Sequence, residues 1–247
     1  MLKQILILAI GFLMTFITSA QPVKSADSYY NYGKNLRDQG KYPEAIQAFK
    51  KAVALDANFD SAYIEWSKLE IKVSSVDKAL LVLKTGIKLN PKMVKVYITM
   101  GNMYKDNKSD YDSAIIYYSG ALGIDSLNKE TFFNICWCYN AKKDFEKAVT
   151  YAQKALDLDI NYRAPYSELG FSYHALYKLD DAIELFKKYI GKTTCDLPLY
   201  YSGICYLELK QFDNVQNMID ELKKMNSKLA DALKKRWDKK INQKPAQ

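Results

Sequence analysis

The side chains that most often carry catalysis or bind metal ions are sparse in this chain. Its 247 residues include a single histidine, His174, and four cysteines without a CxxC spacing. Metal sites and most acid–base or nucleophilic machinery need a second ligand or base close by. The adjacent acids Asp180 and Asp181 stand near a predicted helix start, where capping explains them. We therefore expect no enzyme, no metal ion and no cofactor; the contrary hypothesis is an enzyme whose site uses His174 or Glu168.

A small residue recurs along the chain at an almost constant interval. Successive separations are 34, 34, 35, 34 and 33 residues, for Gly33, Ser67, Gly101, Cys136, Gly170 and Gly203. A second series keeps the same step about twelve residues later, through Ala45, Ala79, Ala114, Ala148, Ala182 and Val215. Six in-phase copies indicate a repeated supersecondary unit with two fixed small positions, stacked copy upon copy.

Within one copy the apolar spacing predicts two helices. In the first copy one helical face consists of Tyr29, Tyr32, Gly33 and Leu36. Gly40 should end this helix and Pro43 should begin the next, since proline lacks only an N–H that the first turn leaves unused. The second apolar stripe consists of Ala45, Ile46, Phe49, Ala52 and Val53. The small positions should let the two antiparallel helices approach closely.

The repeat resembles a known family. Its best copy consists of Tyr166, Leu169, Gly170, Tyr173, Ala182 and Phe186. This order resembles the tetratricopeptide repeat. The resemblance implies an all-α fold, a right-handed α-solenoid of about six helix-turn-helix repeats. We place the repeats at residues 26–59, 60–93, 94–128, 129–162, 163–195 and 196–229. The third copy has one extra residue between Asn107 and Tyr111.

The two ends of the chain differ from the repeats. Residues 1–20 contain Lys3, an apolar run and the small residues of a cleavage site ending at Ala20, which is the pattern of a signal peptide. We expect an exported protein, periplasmic or secreted, that begins at Gln21 with a short segment over residues 21–25; the alternative is an uncleaved amino-terminal anchor. At the other end an apolar residue at every fourth position predicts a basic capping helix and tail over residues 230–247.

The formal charge of +8 is concentrated at the carboxyl end. Residues 21–222 hold 26 basic and 26 acidic side chains, whereas residues 223–247 hold nine basic and two acidic ones. No base-reading motif accompanies this charge, so we expect no nucleic-acid partner. Two interpretations remain: a solvated capping helix, or contact of residues 223–244 with an anionic membrane or cell wall. We expect the four cysteines to be free thiols, because Cys138 and Cys205 stand two repeats apart.

The family resemblance also implies a binding surface, the inner face of the first helices. The expected groove residues are Tyr30, Lys34, Arg37, Ile64, Lys68, Lys95, Ile98, Asn102, Lys105, Phe133, Trp137, Asn140, Ser167, Phe171, His174, Tyr200 and Ile204. The first three copies should make this groove basic and the last three should make it aromatic. The family's clamp for an acidic carboxyl terminus has only a partial match, because Ile98 stands where that clamp has lysine. We therefore predict a non-catalytic interaction scaffold of the cell envelope whose groove holds a peptide or helix of a protein partner, and the basic half of this groove favours an acidic partner. The alternative is tethering to membrane or wall through the basic helix.

Overall fold

The computed structural model describes residues 25–242, and the predicted signal peptide lies outside them. These residues form thirteen α-helices and no strand. In chain order they are α1 Ala26–Asp38, α2 Tyr42–Leu55, α3 Asp60–Val73, α4 Val76–Leu89, α5 Val94–Lys108, α6 Tyr111–Ile124, α7 Lys129–Ala141, α8 Phe145–Leu158, α9 Ala164–Ala175, α10 Leu179–Tyr189, α11 Leu197–Glu208, α12 Phe212–Lys224 and α13 Leu229–Asn242. The predicted all-α fold of helix-turn-helix repeats is confirmed. None of these helices is long and apolar enough to cross a lipid bilayer.

The described residues divide into two compact units, one up to Val96 and one from Tyr97. In the first unit α1 packs against α2, α2 against α3, and α3 against α4. Its core is formed by Leu36, Ala45, Ile46, Ala48, Phe49 and Leu69. Gly33 is one of the predicted small positions, and a Cβ there would lie 2.7 Å from the ring of Phe49. The missing side chain thus lets α1 and α2 meet, as the repeat pattern predicts.

The second unit uses its small positions in two ways. A Cβ at Gly101 would lie 2.5 Å from Tyr118, which belongs to the second helix of the same repeat. A Cβ at Gly170 would instead lie 2.4 Å from Tyr201 on α11, the first helix of the following repeat. One series of small residues therefore serves both packing within a repeat and packing between repeats. The repeat pattern in the sequence predicted only packing within a repeat.

The first helix of a repeat ends in a turn whose key residue has a positive φ. Gly40 has φ +76°, as its predicted role in ending α1 requires, and the next N–H, of Lys41, donates to the carbonyl of Leu36 at 2.9 Å. The same left-handed conformation is adopted by residues other than glycine at four later turns: Ser109, Lys143, Tyr177 and Lys210. The hydrogen bond from Lys41 to Leu36 closes the end of α1 by satisfying a carbonyl that the helix leaves free. In the third repeat the bond spans one residue more, from the Asp110 N–H to the Tyr104 carbonyl, which accommodates the extra residue there.

Candidate partner-binding groove

Three of the four predicted groove cations of the first unit, Arg37, Lys68 and Lys95, are accompanied by acids. Glu65 on α3 accepts a hydrogen bond from Arg37 on α1 and another from Lys68, at 2.8 Å. Lys95 Nζ lies 3.9 Å from the Asp60 carboxylate. Sequence reasoning missed Glu65. Its position three residues before Lys68 on one helix nevertheless predicts that the two side chains are neighbours. The charge of these cations is therefore largely balanced where they stand.

Glu65 is held in its ionised form by this pair of cations. Burial by itself would raise the pKa of its carboxyl, but the hydrogen bonds from Lys68 and Arg37 outweigh burial and lower the pKa below its ordinary value. Of the other predicted residues here, Lys34 lies over the ring of Tyr30, with Nζ 4.9 Å from the centroid. Ile64 is half-buried.

In the second unit the predicted residues of α5 and α7 also contact one another. Lys105 Nζ donates to Asn134 at 3.3 Å, lies 3.4 Å from Asp106, and stands 5.2 Å from the ring centroid of Trp137. Asn102 accepts a hydrogen bond of 2.6 Å from the hydroxyl of buried Tyr118. Asn102 and Lys105, the predicted polar residues of α5 in this unit, thus have partners within the protein.

The predicted aromatic residues pack in a repeating arrangement. The ring of Trp137 lies edge-on against Tyr111, with centroids 5.7 Å apart. The ring of Phe171 lies edge-on against Phe145 at 5.8 Å. Tyr111 and Phe145 are the first residues of α6 and α8, so each ring contacts the second helix of the preceding repeat. The constant spacing of 26 residues within each pair is the signal by which sequence alone could have found this contact.

The same contact recurs at the capping helix. Trp237 on α13 stacks on Phe212, the first residue of α12, with centroids 6.2 Å apart and ring planes at 9°. Helix α13 therefore uses its single aromatic side chain, Trp237, to contact the preceding helix, as the first helix of a repeat does. Phe133, half-buried, is edge-on to Tyr162 at 5.7 Å, and Ile98 packs partly buried against the core around Tyr118.

Asn140 takes part in a polar network between α7 and α9. Its amide donates to the Glu168 carboxylate at 2.7 Å, and its carbonyl oxygen accepts from the buried Ser172 hydroxyl at 2.7 Å. Asn140 itself is buried. Glu168 is half-buried, so a partner could contact Glu168 more readily than Asn140. The hydrogen bonds of this network link α7 to α9.

The remaining predicted residues meet around a cavity of about 340 Å³ between α9, α11 and α13. Its lining residues are Ser167, Gly170, Phe171, His174, Tyr200, Tyr201, Ile204, Glu208 and Arg236. Phe171 is 55% exposed and His174 is also exposed, whereas Tyr200 is 9% exposed and contributes to the wall. The structure thus brings together five residues that the sequence analysis assigned to the groove: Ser167, Phe171, His174, Tyr200 and Ile204.

A second cavity of about 550 Å³ continues from the first. It shares Ile204, Glu208 and Arg236 with the first cavity and adds Leu207, Lys239 and Lys240. We call the two together the C-terminal groove, defined by these residues and the lining of the first cavity. Sequence reasoning missed the contribution of α13, because the repeat pattern lapses before that helix begins. The regular spacing of the apolar residues of α13 was nevertheless visible.

Neither the groove nor the rest of residues 25–242 contains a cluster of three or more His, Cys, Asp or Glu side chains arranged to hold a metal ion. The four cysteines are free and buried. Burial raises the pKa of the Cys138 and Cys205 thiols to about 12 and also raises that of Cys136 and Cys195. Low-pKa thiols are the reactive ones, so these side chains have the environment of packing residues.

Comparison with known protein families finds this repeat at three places in the chain. A family model for the TPR repeat matches residues 33–65. A model for the tetratricopeptide repeat matches residues 94–126 and 130–161. Among curated proteins, the protein O-mannosyl-transferase Tmtc3 of Drosophila melanogaster is 31% identical over 115 residues, 47% of this chain and 12% of the transferase. The chain therefore spans about an eighth of the length of that relative.

Solved structures share the fold. The chain is similar to pilF of Pseudomonas aeruginosa, with a TM-score of 0.56, 16% identity, and coverage of 85% of this chain and 97% of that one. It is also similar to YrrB, described as a TPR protein with an unusual peptide-binding site, with a TM-score of 0.54 and 22% identity. That alignment covers 77% of this chain and 99% of YrrB.

Proposed function

The chain is a tetratricopeptide-repeat protein, and we propose that it is a non-catalytic interaction scaffold of the cell envelope that holds a peptide or helix of a partner protein in the C-terminal groove. The observation that carries the proposal is the open cavity of about 340 Å³ walled by aromatic rings, with Phe171 more than half exposed. Peptide binding is carried over from YrrB, a structural neighbour with a peptide-binding site. Aromatic side chains in concave sites are frequent anchors for a partner.

The proposal places the partner at one end of the expected groove. In the first unit, Arg37, Lys68 and Lys95 already have acidic neighbours within 4 Å. In the second unit, Asn102 and Asn140 are held by internal hydrogen bonds. The C-terminal groove combines the exposed side chains of Phe171 and His174 with open volume, so it offers a partner both contacts and space.

Absence of catalysis is part of the proposal. The transferase relative shares only 12% of its length with this chain, so its activity is not carried over. The groove contains the single histidine of the chain, His174, without a described hydrogen bond or ion pair that would orient it as a base. A general base normally needs such an orienting partner.

Site-directed photo-crosslinking tests the proposal. A photoreactive residue replacing Phe171 should crosslink a discrete partner in envelope extracts. A photoreactive residue replacing Ile116, which is 66% exposed on α6, is the matched control. The same partner captured equally well from both positions, or from the control alone, would contradict groove binding.

Export is proposed from the sequence of residues 1–20, which has the three parts of a signal peptide. Amino-terminal sequencing of the protein isolated from its native cells should find Gln21 as the first residue. An intact Met1 would contradict cleavage and favour the anchor.

A second candidate function is attachment to an anionic surface through residues 223–244. It rests on the exposed basic residues of α13, Lys235, Arg236 and Lys239, beside Ile241, which is 55% exposed. Each basic residue near anionic lipid contributes about 1 kcal/mol. Co-sedimentation with vesicles that contain phosphatidylglycerol, at low and high salt, tests it; equal sedimentation with phosphatidylcholine vesicles would count against it.

A further inference from the structure

We propose that the C-terminal groove selects a partner segment in which an internal Asp or Glu side chain stands close to a large apolar or aromatic side chain. This inference rests on the proposed function and adds the chemistry of the partner. It also moves the acid-binding part of the protein from the first repeats, where sequence alone placed it, to the capping helix.

The first step is the distribution of uncompensated positive charge. Arg37 and Lys68 share Glu65, and Lys105 lies beside Asp106. A cation that already has an acidic neighbour gains less from a partner carboxylate, because the partner must compete with the resident acid. Arg37, Lys68 and Lys105 are therefore poorly suited to select an acidic segment.

The second step is the charge of the groove itself. Among the residues that line the C-terminal groove, Glu208 is the acidic one. Lys240 forms an ion pair with Glu208, with Nζ 2.5 Å from the carboxylate. Arg236 and Lys239 also line the groove, and neither forms an ion pair with any residue between 25 and 242. The groove thus has two cations available to a ligand. The guanidinium of arginine suits this role because its planar donors match a carboxylate in a two-point contact.

The third step concerns the apolar part of the C-terminal groove, which lies in its smaller cavity. Phe171, Tyr200, Tyr201 and Ile204 line the smaller cavity together with Arg236. A large apolar side chain placed there would bury the exposed part of Phe171, and buried apolar area is the main source of affinity. A carboxylate at Arg236 would then stand close to that apolar anchor.

The fourth step decides between an internal acid and a chain terminus. Arg236 and Ile204 line both cavities, so Arg236 stands where the two meet and not at an end of the groove. A segment whose terminal carboxylate bound Arg236 would leave one cavity empty. A segment that continues past Arg236 fills both, so the acid that it presents is a side chain.

Selection from a random peptide library tests the inference. The purified protein is offered peptides displayed with their carboxyl ends fused to the carrier, so that only side chains supply carboxylates. We expect enrichment of Asp or Glu at one position, with an apolar or aromatic residue at a fixed distance from it. A selected peptide made synthetically with a carboxyl-terminal amide should lose about tenfold in affinity when its acid is changed to the amide.

Variants of the protein locate the acid-binding residue. Arg236→Glu should remove the preference for acids and replace it with one for Lys or Arg. Lys235→Glu is the matched control, because Lys235 is exposed on the same helix but lines neither cavity, and it should keep the original preference. If Arg236→Glu melts early by circular dichroism, Arg236→Gln replaces it and should lose the acidic preference without gaining a basic one.

The outcomes separate this inference from the proposed function. Peptides selected without an acidic preference, or with one that Arg236→Glu and Arg236→Gln leave unchanged, would overturn the inference. If their binding still fell on Phe171→Ala, the proposed function would stand. A synthetic peptide that bound with a free carboxyl terminus but not as its carboxyl-terminal amide would replace the internal acid by a terminal one and so overturn the fourth step. Absence of any enriched peptide would overturn both the inference and peptide binding in this groove.

Discussion

The ring of Phe171 lies edge-on against the ring of Phe145, with centroids 5.8 Å apart and planes at 76°, while 55% of Phe171 is exposed. This aromatic side chain therefore has both a packing partner and a free face. Trp137 occupies the equivalent place one repeat earlier but is half-buried, with Tyr111 on one side and the Lys105 ammonium over its ring. Equivalent positions in two repeats thus hold one exposed ring and one half-buried ring.

Truncation of the two rings should separate these roles. Phe171→Ala should weaken binding of a groove ligand about thirtyfold, with a loss of about 1 kcal/mol or less in the free energy of unfolding. Trp137→Ala should lower that free energy by about 2 kcal/mol, because it removes the contacts with Tyr111 and Lys105. Urea titrations beside binding titrations measure both quantities. A strongly destabilised Phe171→Ala variant would show that this ring belongs to the core.

Replacement of Gly101 by leucine should destabilise the protein locally. A Cβ at this position would already lie 2.5 Å from the buried ring of Tyr118, so larger side chains must displace that ring or separate the helices. The overpacking should cost about 1 to 3 kcal/mol. Hydrogen exchange should increase in α5, α6 and their neighbours before the ends of the chain, because each repeat contacts its neighbours.

A matched control for this change lies on α6. A Cβ at Gly123 would meet nothing within 4 Å, so Gly123→Ala should stabilise its helix by about 0.5 to 1 kcal/mol. Uniform loosening on Gly101→Leu, or a free energy of unfolding as high as that of Gly123→Ala, would contradict the close contact with Tyr118.

The helix-ending turns offer a pair of opposite substitutions. Tyr177 has φ +55° and is 89% exposed, so Tyr177→Gly should stabilise the protein by about 1 kcal/mol by relieving a conformation that side chains disfavour. Gly40, with φ +76°, holds the equivalent place in the first repeat, and Gly40→Ala should destabilise by about the same amount. Thermal melts of both variants measure the effects. Destabilisation by Tyr177→Gly would mean that the tyrosine side chain makes a contribution larger than its backbone strain.

Lowering the pH should destabilise the folded protein in part because the Glu65 carboxylate becomes protonated. The hydrogen bonds from Lys68 and Arg37 overcome the effect of burial and lower the pKa of this carboxyl below its ordinary 4.5. A lowered pKa in the folded state means that the stabilisation is complete above 4.5 and disappears as the pH falls through the folded value. Glu65→Gln should therefore cost about 1 kcal/mol at neutral pH and progressively less in acid.

The control for this titration is Glu44→Gln. Glu44 is exposed on α2 and forms no ion pair with the described residues. The difference in melting temperature between this control and the unaltered protein should stay small at every pH. A Glu65→Gln effect that did not shrink below pH 4.5 would assign it to packing and not to charge.

The thiols should be unreactive in the folded state. Burial raises the pKa of Cys138 and Cys205 to about 12, so at pH 8 fewer than about one thiol in a thousand would be ionised at these positions. Titration with a thiol-reactive dye should give no fast phase in buffer and four equivalents in denaturant, since all four cysteines are free. A fast equivalent in buffer would show that one of them is accessible.

The sequence by itself determined the repeat and much of its chemistry. Small residues in phase, the helix-breaking Gly40 and the apolar stripes depend on spacing within one helix or one repeat, which the periodicity of a helix makes readable. The tertiary structure decided which cations stay free and where open volume remains. Glu65 meets Arg37 from 28 residues away, and Glu208 meets Lys240 from 32 residues away. Such partners stand on different helices, so their pairing depends on how neighbouring helices pack and rotate, which spacing along a single helix does not contain.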